Sequence, residues 1–357
     1  MNDLGRRLRV LVVEDSAVAR RLIVHILNSD PELEVIAEAE TGDAAVRMAT
    51  RRRPDVIVMD VAMPSMDGLQ ATRRIMEVLP TPIVLMSATY DARDLSKYFE
   101  ALEAGALSLV AKPSGPRAST FAAEAATLTT TVKLMAEVKL VRRRTGGPSG
   151  AEVVAAPPPV SVRARRRPVE IVAIAASTGG PAALATILGA LPPTMPVPMV
   201  VVQHITSGFH QGLVDWLDSV SPVSVRLAGD GQPLRAGEVL VAPSGAHLGV
   251  TGDGRVALSR DPPIGGHRPS ATHLFRSVAS VYGAAAVGAI LTGMGEDGVA
   301  GLRLVKEAGG LVLAQDKATS VVYGMPHKAV CLGIVDLVLP LDRVAGALIA
   351  AWNGQNP

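Results

Sequence analysis

Cysteine is nearly missing: the 357 residues include one, Cys331. An intrachain disulfide is excluded, and so low a count fits a reducing compartment. Set in AVCLGIVDLVL, this thiol is expected to pack in a core rather than to react. Aromatics are scarce at 3% against 48% hydrophobic residues overall, so any core must be built from aliphatic side chains. An excess of one charge is also lacking, and a net +2 gives no reason to expect a nucleic-acid or membrane partner. No apolar run reaches the roughly 18–20 residues of a membrane helix. The longest, such as AAAVGAILTGMG, are broken by glycine and closed by Glu296. RRLRVLVVED meets two acids too soon for a secretory signal. The expectation is a soluble, cytoplasmic protein of about two domains.

What is present is a rhythm. The short apolar runs RVLVVED, LEVIAEA, DVIVMD, PIVLMSA and ALSLVAK alternate with SAVARRLIVHILNS, GDAAVRMATRR, GLQATRRIMEVL and LSKYFEALEAG. Apolar residues in the longer segments fall near helical spacing, so five parallel strands wrapped by helices are expected. His25, on the first apolar helix, reads as packing. After Pro113, AAEAATLTTTVKLMAEVKLV gives way to RRRTGGPSGAEVVAAPPPVSVRARRRPV, which has no periodicity and reads as a linker. Its runs Arg142–Arg144 and Arg165–Arg167 read as solvated charge on a tether. The α/β rhythm resumes at Glu170 with IVAIAAS, VPMVVVQH, EVLVAPSG, AAVGAILTG, GLVLAQD and VDLVLPL. AHLGVTGDGRVALSR alternates about a Gly-Asp-Gly turn and reads as a β-hairpin attached to the parallel sheet.

In an open parallel sheet, functional groups gather beyond the carboxyl ends of the strands. Glu14 and Asp15 close the first strand, Asp60 the third, Ser87 the fourth and Lys112 the fifth. Three carboxylates on one rim repel unless a cation neutralises them, and a hard ion such as Mg²⁺ suits oxygen ligands. A carboxylate beside such an ion and a lysine is equipped to attack phosphorus. Ser87 would then donate to one phosphoryl oxygen and Lys112 pair with another. One strand-end acid alone reads as a helix cap. Five matched positions, with MPSMDG after Asp60 and Lys112-Pro113, argue for a site.

Residues 8 to about 125 thus resemble the receiver domain of bacterial response regulators, which implies a flavodoxin-like (βα)5 fold. The resemblance assigns Mg²⁺ to Glu14, Asp15 and Asp60, and phosphorylation to Asp60. It gives Ser87 and Lys112 the coupling of phosphorylation to loop movement. Val61-Ala62 departs from the family, where an acidic residue often precedes Met-Pro.

In the second half, IVAIAASTGG ends an apolar run in small residues. It lacks the Lys-Ser/Thr of a P-loop and the GxGxxG of a dinucleotide loop. A sharp strand-to-helix turn exposing Ser177 fits better. A serine hydroxyl needs a base, and the base needs an acid to fix its tautomer. His204 directly ends the strand VPMVVVQH, and Asp297 follows another in AILTGMGEDG, so all three would share one carboxyl rim. Glu296 is the alternative acid, with Asp297 in the better motif context. Amides near Thr178 and Met294 are candidate oxyanion donors. His267 and Arg268 in GGHRPS, and His247 in APSGAH, either line a cleft or brace loops. The histidines lack paired ligand spacing, so no cofactor is expected at this site.

From about Glu170 to Ala351, these motifs resemble the catalytic domain of chemotaxis protein-glutamate methylesterases. ASTGG carries the serine, QH the histidine and TGMGEDG the aspartate; HRPS, LTGMG and YGMP reinforce the match. Ala175 stands where the family commonly has glycine. The resemblance implies a receiver at 8–125, a helical then flexible linker at 126–168, and a methylesterase domain at 169–357. That domain would be a doubly wound, mostly parallel α/β/α fold with a β-hairpin. It also implies hydrolysis of glutamyl γ-methyl esters, and deamidation of glutamines, on the cytoplasmic helices of chemoreceptors. A chemosensory histidine kinase would be the phosphodonor, receptor arrays the location, and neither nucleic acid nor membrane insertion a part. Two other classes fit the sequence less well. A DNA-binding regulator would show a helix-turn-helix pattern, which is missing, and a nucleotide-binding oxidoreductase would show a full fingerprint with its ribose-binding acid.

Overall fold

Parallel strands are covered on both faces and so read as unbroken apolar runs. The computed structural model describes residues 6–87, 105–138 and 167–355, and the chain divides into two units, Met1–Arg143 and Arg144–Pro357. The first holds β1 (Leu8–Val13), β2 (Leu33–Ala39), β3 (Val56–Asp60), β4 (Ile83–Ser87) and β5 (Ser108–Ala111), all parallel, in the order β2-β1-β3-β4-β5. Chain order reverses between β1 and β3, and the carboxyl ends of that pair carry Glu14, Asp15 and Asp60.

Helices α1 (Ala17–Asn28), α2 (Gly42–Arg52) and α3 (Gly68–Val78) start on side-chain caps, where Ser16, Thr41 and Asp67 accept from Ala19, Ala44 and Gln70 N–H. The stretch expected to supply another helix, LSKYFEALEAG, lies outside the described residues except for its last glycine, as does most of the expected linker. His25 corrects an expectation: it is exposed, because the buried stripe of α1 is Ile23, Ile26 and Leu27. Helix α4 (Phe121–Ala136) buries Leu128, Val132 and Met135 and packs on β5, so it carries the first unit past residue 125 to Ala136.

The second unit runs β6 (Ile171–Ala176), α5 (Gly180–Gly189), β7 (Met199–Gln203), α6 (His210–Val220), β8 (Ser224–Leu227), β9 (Glu238–Val241), β10 (His247–Val250) and β11 (Val256–Ser259). It continues through α7 (Ala271–Tyr282), β12 (Ala286–Ile290), α8 (Val299–Glu307), β13 (Leu311–Gln315), α9 (Met325–Cys331), β14 (Leu337–Leu339) and α10 (Leu341–Trp352). Seven parallel strands form one sheet in the order β14-β13-β12-β6-β7-β9-β8. The direction of winding reverses at β6 and β12, which puts their carboxyl ends at the switch point where α/β sheets build sites.

Three details differ from the sequence reading. The hairpin is present, but β10 and β11 pair only with each other; Leu248, Val250 and Val256 pack on Leu274, Phe275 and Val278 of α7 instead of extending the sheet. The edge strand β8, SVRL, carries one buried side chain and too short a pattern to be recognised. Cys331 is exposed at the end of α9, its Sγ 3.3 Å from His327 Nε2, while Met325 and Ala329 face inward.

Helices α7 and α8 cross closely because small residues line the contact. A Cβ built on Gly301 would lie 2.5 Å from Thr272 O and 2.9 Å from Phe275 Cβ. That crossing brings the loop before α8 against the first turn of α7. Among the described residues, no helix is long and apolar enough to cross a membrane.

Candidate active site

Beyond β1 and β3, ligand oxygens of Glu14, Asp15 and Asp60 lie within 4.8 Å of one another. Glu14 is fully buried, Asp60 nearly so, and Asp15 faces solvent. Lys112 Nζ, from just past β5, stands 2.8 Å from Glu14 Oε2 and 2.8 Å from Asp60 Oδ2. Burial pushes the Glu14 and Asp60 carboxyls up, against the opposing pull of Lys112. Burial also opposes the Lys112 charge, but its bonds to Asp60 and Glu14 outweigh this and raise it. Ser87 is buried at the end of β4, beside Ala111 in the ladder. An all-oxygen donor set with one open side fits a hard divalent cation. Sequence reading missed Arg20, whose Nη1 donates to Glu14 O at 2.8 Å while its other nitrogens pair with Glu38 and Glu40. Val61 is buried and hydrogen-bonded to Met86 O, whereas Ala62 is exposed, so the departure at these positions falls on the surface at Ala62.

In the second unit, β6 and β7 pair in register through Ala176 and Gln203, and His204 N donates to Ala176 O at 2.9 Å. Ser177 and His204 therefore leave adjacent strands side by side. Gln203 ties them: its Nε2 donates to Ser177 O at 2.7 Å and to His204 O at 2.8 Å. On the other flank, Ser177 N donates to Thr292 O, and Thr292 Oγ1 donates to Thr178 O. The loop 291–295 is fastened in turn to YGMP, since Gly324 and Met325 N–H both donate to Gly293 O. Only glycine fits at 293, where a Cβ would meet Met325 Sδ at 2.5 Å and Ser177 Cβ at 2.7 Å. Gly179, with φ +78°, turns the chain into α5 immediately after Ser177 and Thr178.

His204 Nε2 lies 2.9 Å from Asp297 Oδ2. Asp297 is also cradled by the start of α7, with Ser270 Oγ donating to Oδ1 at 2.7 Å, Thr272 N to Oδ1 at 3.1 Å and Ala271 N to Oδ2 at 2.6 Å. Burial works against its charge, but the hydrogen bonds from His204, Ser270 and Thr272 hold the carboxyl far below the usual range. The ring of His267 stacks on His204, centroids 4.2 Å apart and 9° from parallel. Burial and the His204 charge push His267 down. Glu296, the alternative acid, turns away to Lys328 at 3.1 Å.

The structure thus brings Ser177, His204 and Asp297 to one rim. His204 Nδ1 is buried without a hydrogen-bond partner, and Ser177 Oγ makes no bond to it among the described residues. The N–H groups of Thr178 and Met294 likewise donate to no acceptor among the described residues. Sequence reading missed Ser270 and Thr272. The serine before ATHLF signals a helix cap, but nothing local says that its partner lies 27 residues later.

Comparison with known proteins agrees with both halves. Residues 172–348 match the CheB methylesterase family, and residues 10–122 match the response regulator receiver domain. The chain is 49% identical over 351 residues to protein-glutamate methylesterase/protein-glutamine glutaminase 4 of Myxococcus xanthus, covering 98% of each. It is 49% identical over 346 residues to enzyme 3 of that name from Anaeromyxobacter dehalogenans, covering 97% of this chain and 99% of that one. The crystal structure of the Thermotoga maritima CheB methylesterase catalytic domain shares 41% identity and a TM-score of 0.50, over 51% of this chain and 97% of that one.

Proposed function

This chain belongs to the protein-glutamate methylesterase/protein-glutamine glutaminase family, and on that premise we propose that Ser177, His204 and Asp297 hydrolyse glutamyl γ-methyl esters of chemoreceptors. The observation that carries this reading is the His204–Asp297 bond beside the register neighbour Ser177. With Nε2 donating to Asp297, neutral His204 keeps its lone pair on Nδ1, the buried atom that has no partner among the described residues. Nδ1 takes the hydroxyl proton as Ser177 Oγ bonds to the ester carbonyl carbon. The carbonyl electron pair moves onto oxygen, where the Thr178 and Met294 N–H groups and the α5 N-terminus receive the negative charge. Collapse breaks the bond to methoxide, which leaves as methanol with the proton from Nδ1. Water then adds to the acyl-enzyme by the same steps, releasing the glutamate carboxylate and restoring Ser177. A glutamine side chain follows the same path with ammonia as leaving group.

Asp297 does not take up the proton. Its depressed carboxyl stays ionised, holds Nε2 and stabilises the imidazolium formed at each step. His267, pressed against the ring and itself biased towards neutrality, limits its rotation without adding a repelling charge.

In the first unit, Asp60 is the phosphoryl acceptor for a chemosensory kinase, with Glu14, Asp15 and Asp60 holding Mg²⁺. When bound, that ion supplies positive charge against the transferred phosphoryl group. Lys112, now shared by Glu14 and Asp60, is placed to pair with a phosphoryl oxygen, and Ser87 to donate to another. Phosphorylation there raises ester hydrolysis in the second unit. A cytoplasmic site of action at receptor arrays goes with this role.

Methanol release from methylated receptor fragments tests the hydrolytic reading. Ser177→Ala is expected to lower the rate at least about a thousandfold while Asp60 still takes phosphate from a small phosphodonor. Equal release by the variant would remove the mechanism.

A further inference from the structure

We propose that His247 is a positioning residue for the hydrolytic site, acting on Asp297 through Ser270; this rests on the serine-hydrolase reading above. His247 opens β10 and is fully buried. Its Nδ1 accepts from Ser270 N–H at 3.2 Å, and its Nε2 lies 3.2 Å from Pro262 O. An amide can only donate and a carbonyl only accept, so these partners fix one tautomer, with hydrogen on Nε2 and the lone pair on Nδ1. The ring face stacks on His273, centroids 4.9 Å apart. Both edges and one face of the imidazole are therefore held.

Ser270 is the N-cap of α7 and is also fully buried. Its own N–H lies outside the helix ladder and depends on His247 for an acceptor. Its side chain donates to Asp297 Oδ1, and the next two amides complete the cradle. The pose of this one residue thus governs three of the four hydrogen bonds on the Asp297 carboxylate; the fourth comes from His204. The path from His247 to Ser270, Asp297 and His204 is unbroken, with every link at hydrogen-bond distance. Removing the Nδ1 acceptor leaves a buried amide unpaired. Turning the cap peptide to find another partner draws Ser270 Oγ and Ala271 N away from Asp297. His204 then loses the support that aims Nδ1 at Ser177.

A simple brace and a positioning residue differ in which edge of the ring matters. His247→Asn keeps an acceptor at the Nδ1 position and loses the donor at Nε2. His247→Gln keeps the donor and loses the acceptor. Both variants of the full chain would be measured for methanol release and for the downfield proton resonance of the His204–Asp297 hydrogen bond. For His247→Gln we expect kcat lowered by about ten- to a hundredfold, KM within about twofold, and the resonance shifted or lost. For His247→Asn we expect kcat within about threefold of the parent, with the resonance kept. Equal losses in the two variants, or an unchanged resonance in His247→Gln, would overturn the proposal. Should His247→Gln not fold, His247→Asn decides alone: a retained resonance and kcat support the proposal, and loss of both refutes it. Absence of methanol release by the parent protein would sink the esterase reading, while the resonance comparison would still decide the role of His247.

Discussion

At the residue scale, neighbours decide what each ionisable group does. His210, at the start of α6, is buried with neither ring nitrogen bonded among the described residues. Burial, then the charge of His204, pushes it down to about 4. An unfolded histidine takes its proton near 6.5, so between these values the unfolded chain binds more protons than the folded one. Stability should therefore fall as pH drops from about 6.5 to about 4, by about 3 kcal/mol from this group. Both tryptophans, Trp216 and Trp352, lie in the second unit, so urea unfolding followed by their fluorescence reports that unit alone. His210→Leu should flatten this part of the acid slope; identical slopes would refute the assignment. The acidic trio gives a second expectation. Mg²⁺ at about a hundred times its Kd should stabilise the first unit by roughly 2.7 kcal/mol, seen as a higher Tm that chelation reverses. Asp15→Asn should lose most of that gain, and an undiminished gain would exclude Asp15 as a ligand.

At the element scale, the position of Asp297 depends on two helices that nearly touch. Gly301→Val would drive a side chain into Thr272 O and Phe275. It should cost about 1–3 kcal/mol through overpacking and lower kcat as well, by moving the α7 cap away from Asp297. Methanol release with little change in KM would show this, whereas lost stability with unchanged kcat would mean that the crossing is only packing. The parallel strands were legible in the sequence because full burial writes itself as apolar runs, and Ser177, His204 and Asp297 because each follows such a run. The cradle made by Ser270, Ala271 and Thr272 was not, since its bonds join residues far apart and two of them use backbone amides, which no side-chain pattern marks. Cys331 and His25 were misread because an apolar neighbourhood in sequence does not tell which side of a helix a residue takes. Ala175 is settled by its strand: it pairs regularly with Val202 and Ile290, and its methyl packs in the core. The turn that follows rests on Gly179 instead.

At the scale of the whole molecule, two sheets each place a site at the point where their winding reverses. One gathers carboxylates and a lysine, the groups to which phosphoryl chemistry is assigned in the proposed function, and the other a serine, a histidine and a carboxylate, proposed for acyl transfer. Both expectations came from strand-end residues, while the stretch joining the units has too little pattern to carry one. Control of the second unit by the first requires that chemistry at Asp60 change the rate at Ser177. The most direct measurement is the initial rate of methanol release from methylated receptor fragments, with and without a small phosphodonor and Mg²⁺, for the parent chain and for Asp60→Asn. The parent should accelerate by about tenfold or more, Asp60→Asn should not respond, and Ser177→Ala should stay at least about a thousandfold slower than the parent under either condition. Equal rates with and without phosphodonor in a demonstrably phosphorylated parent, or methanol release that survives Ser177→Ala, would contradict it.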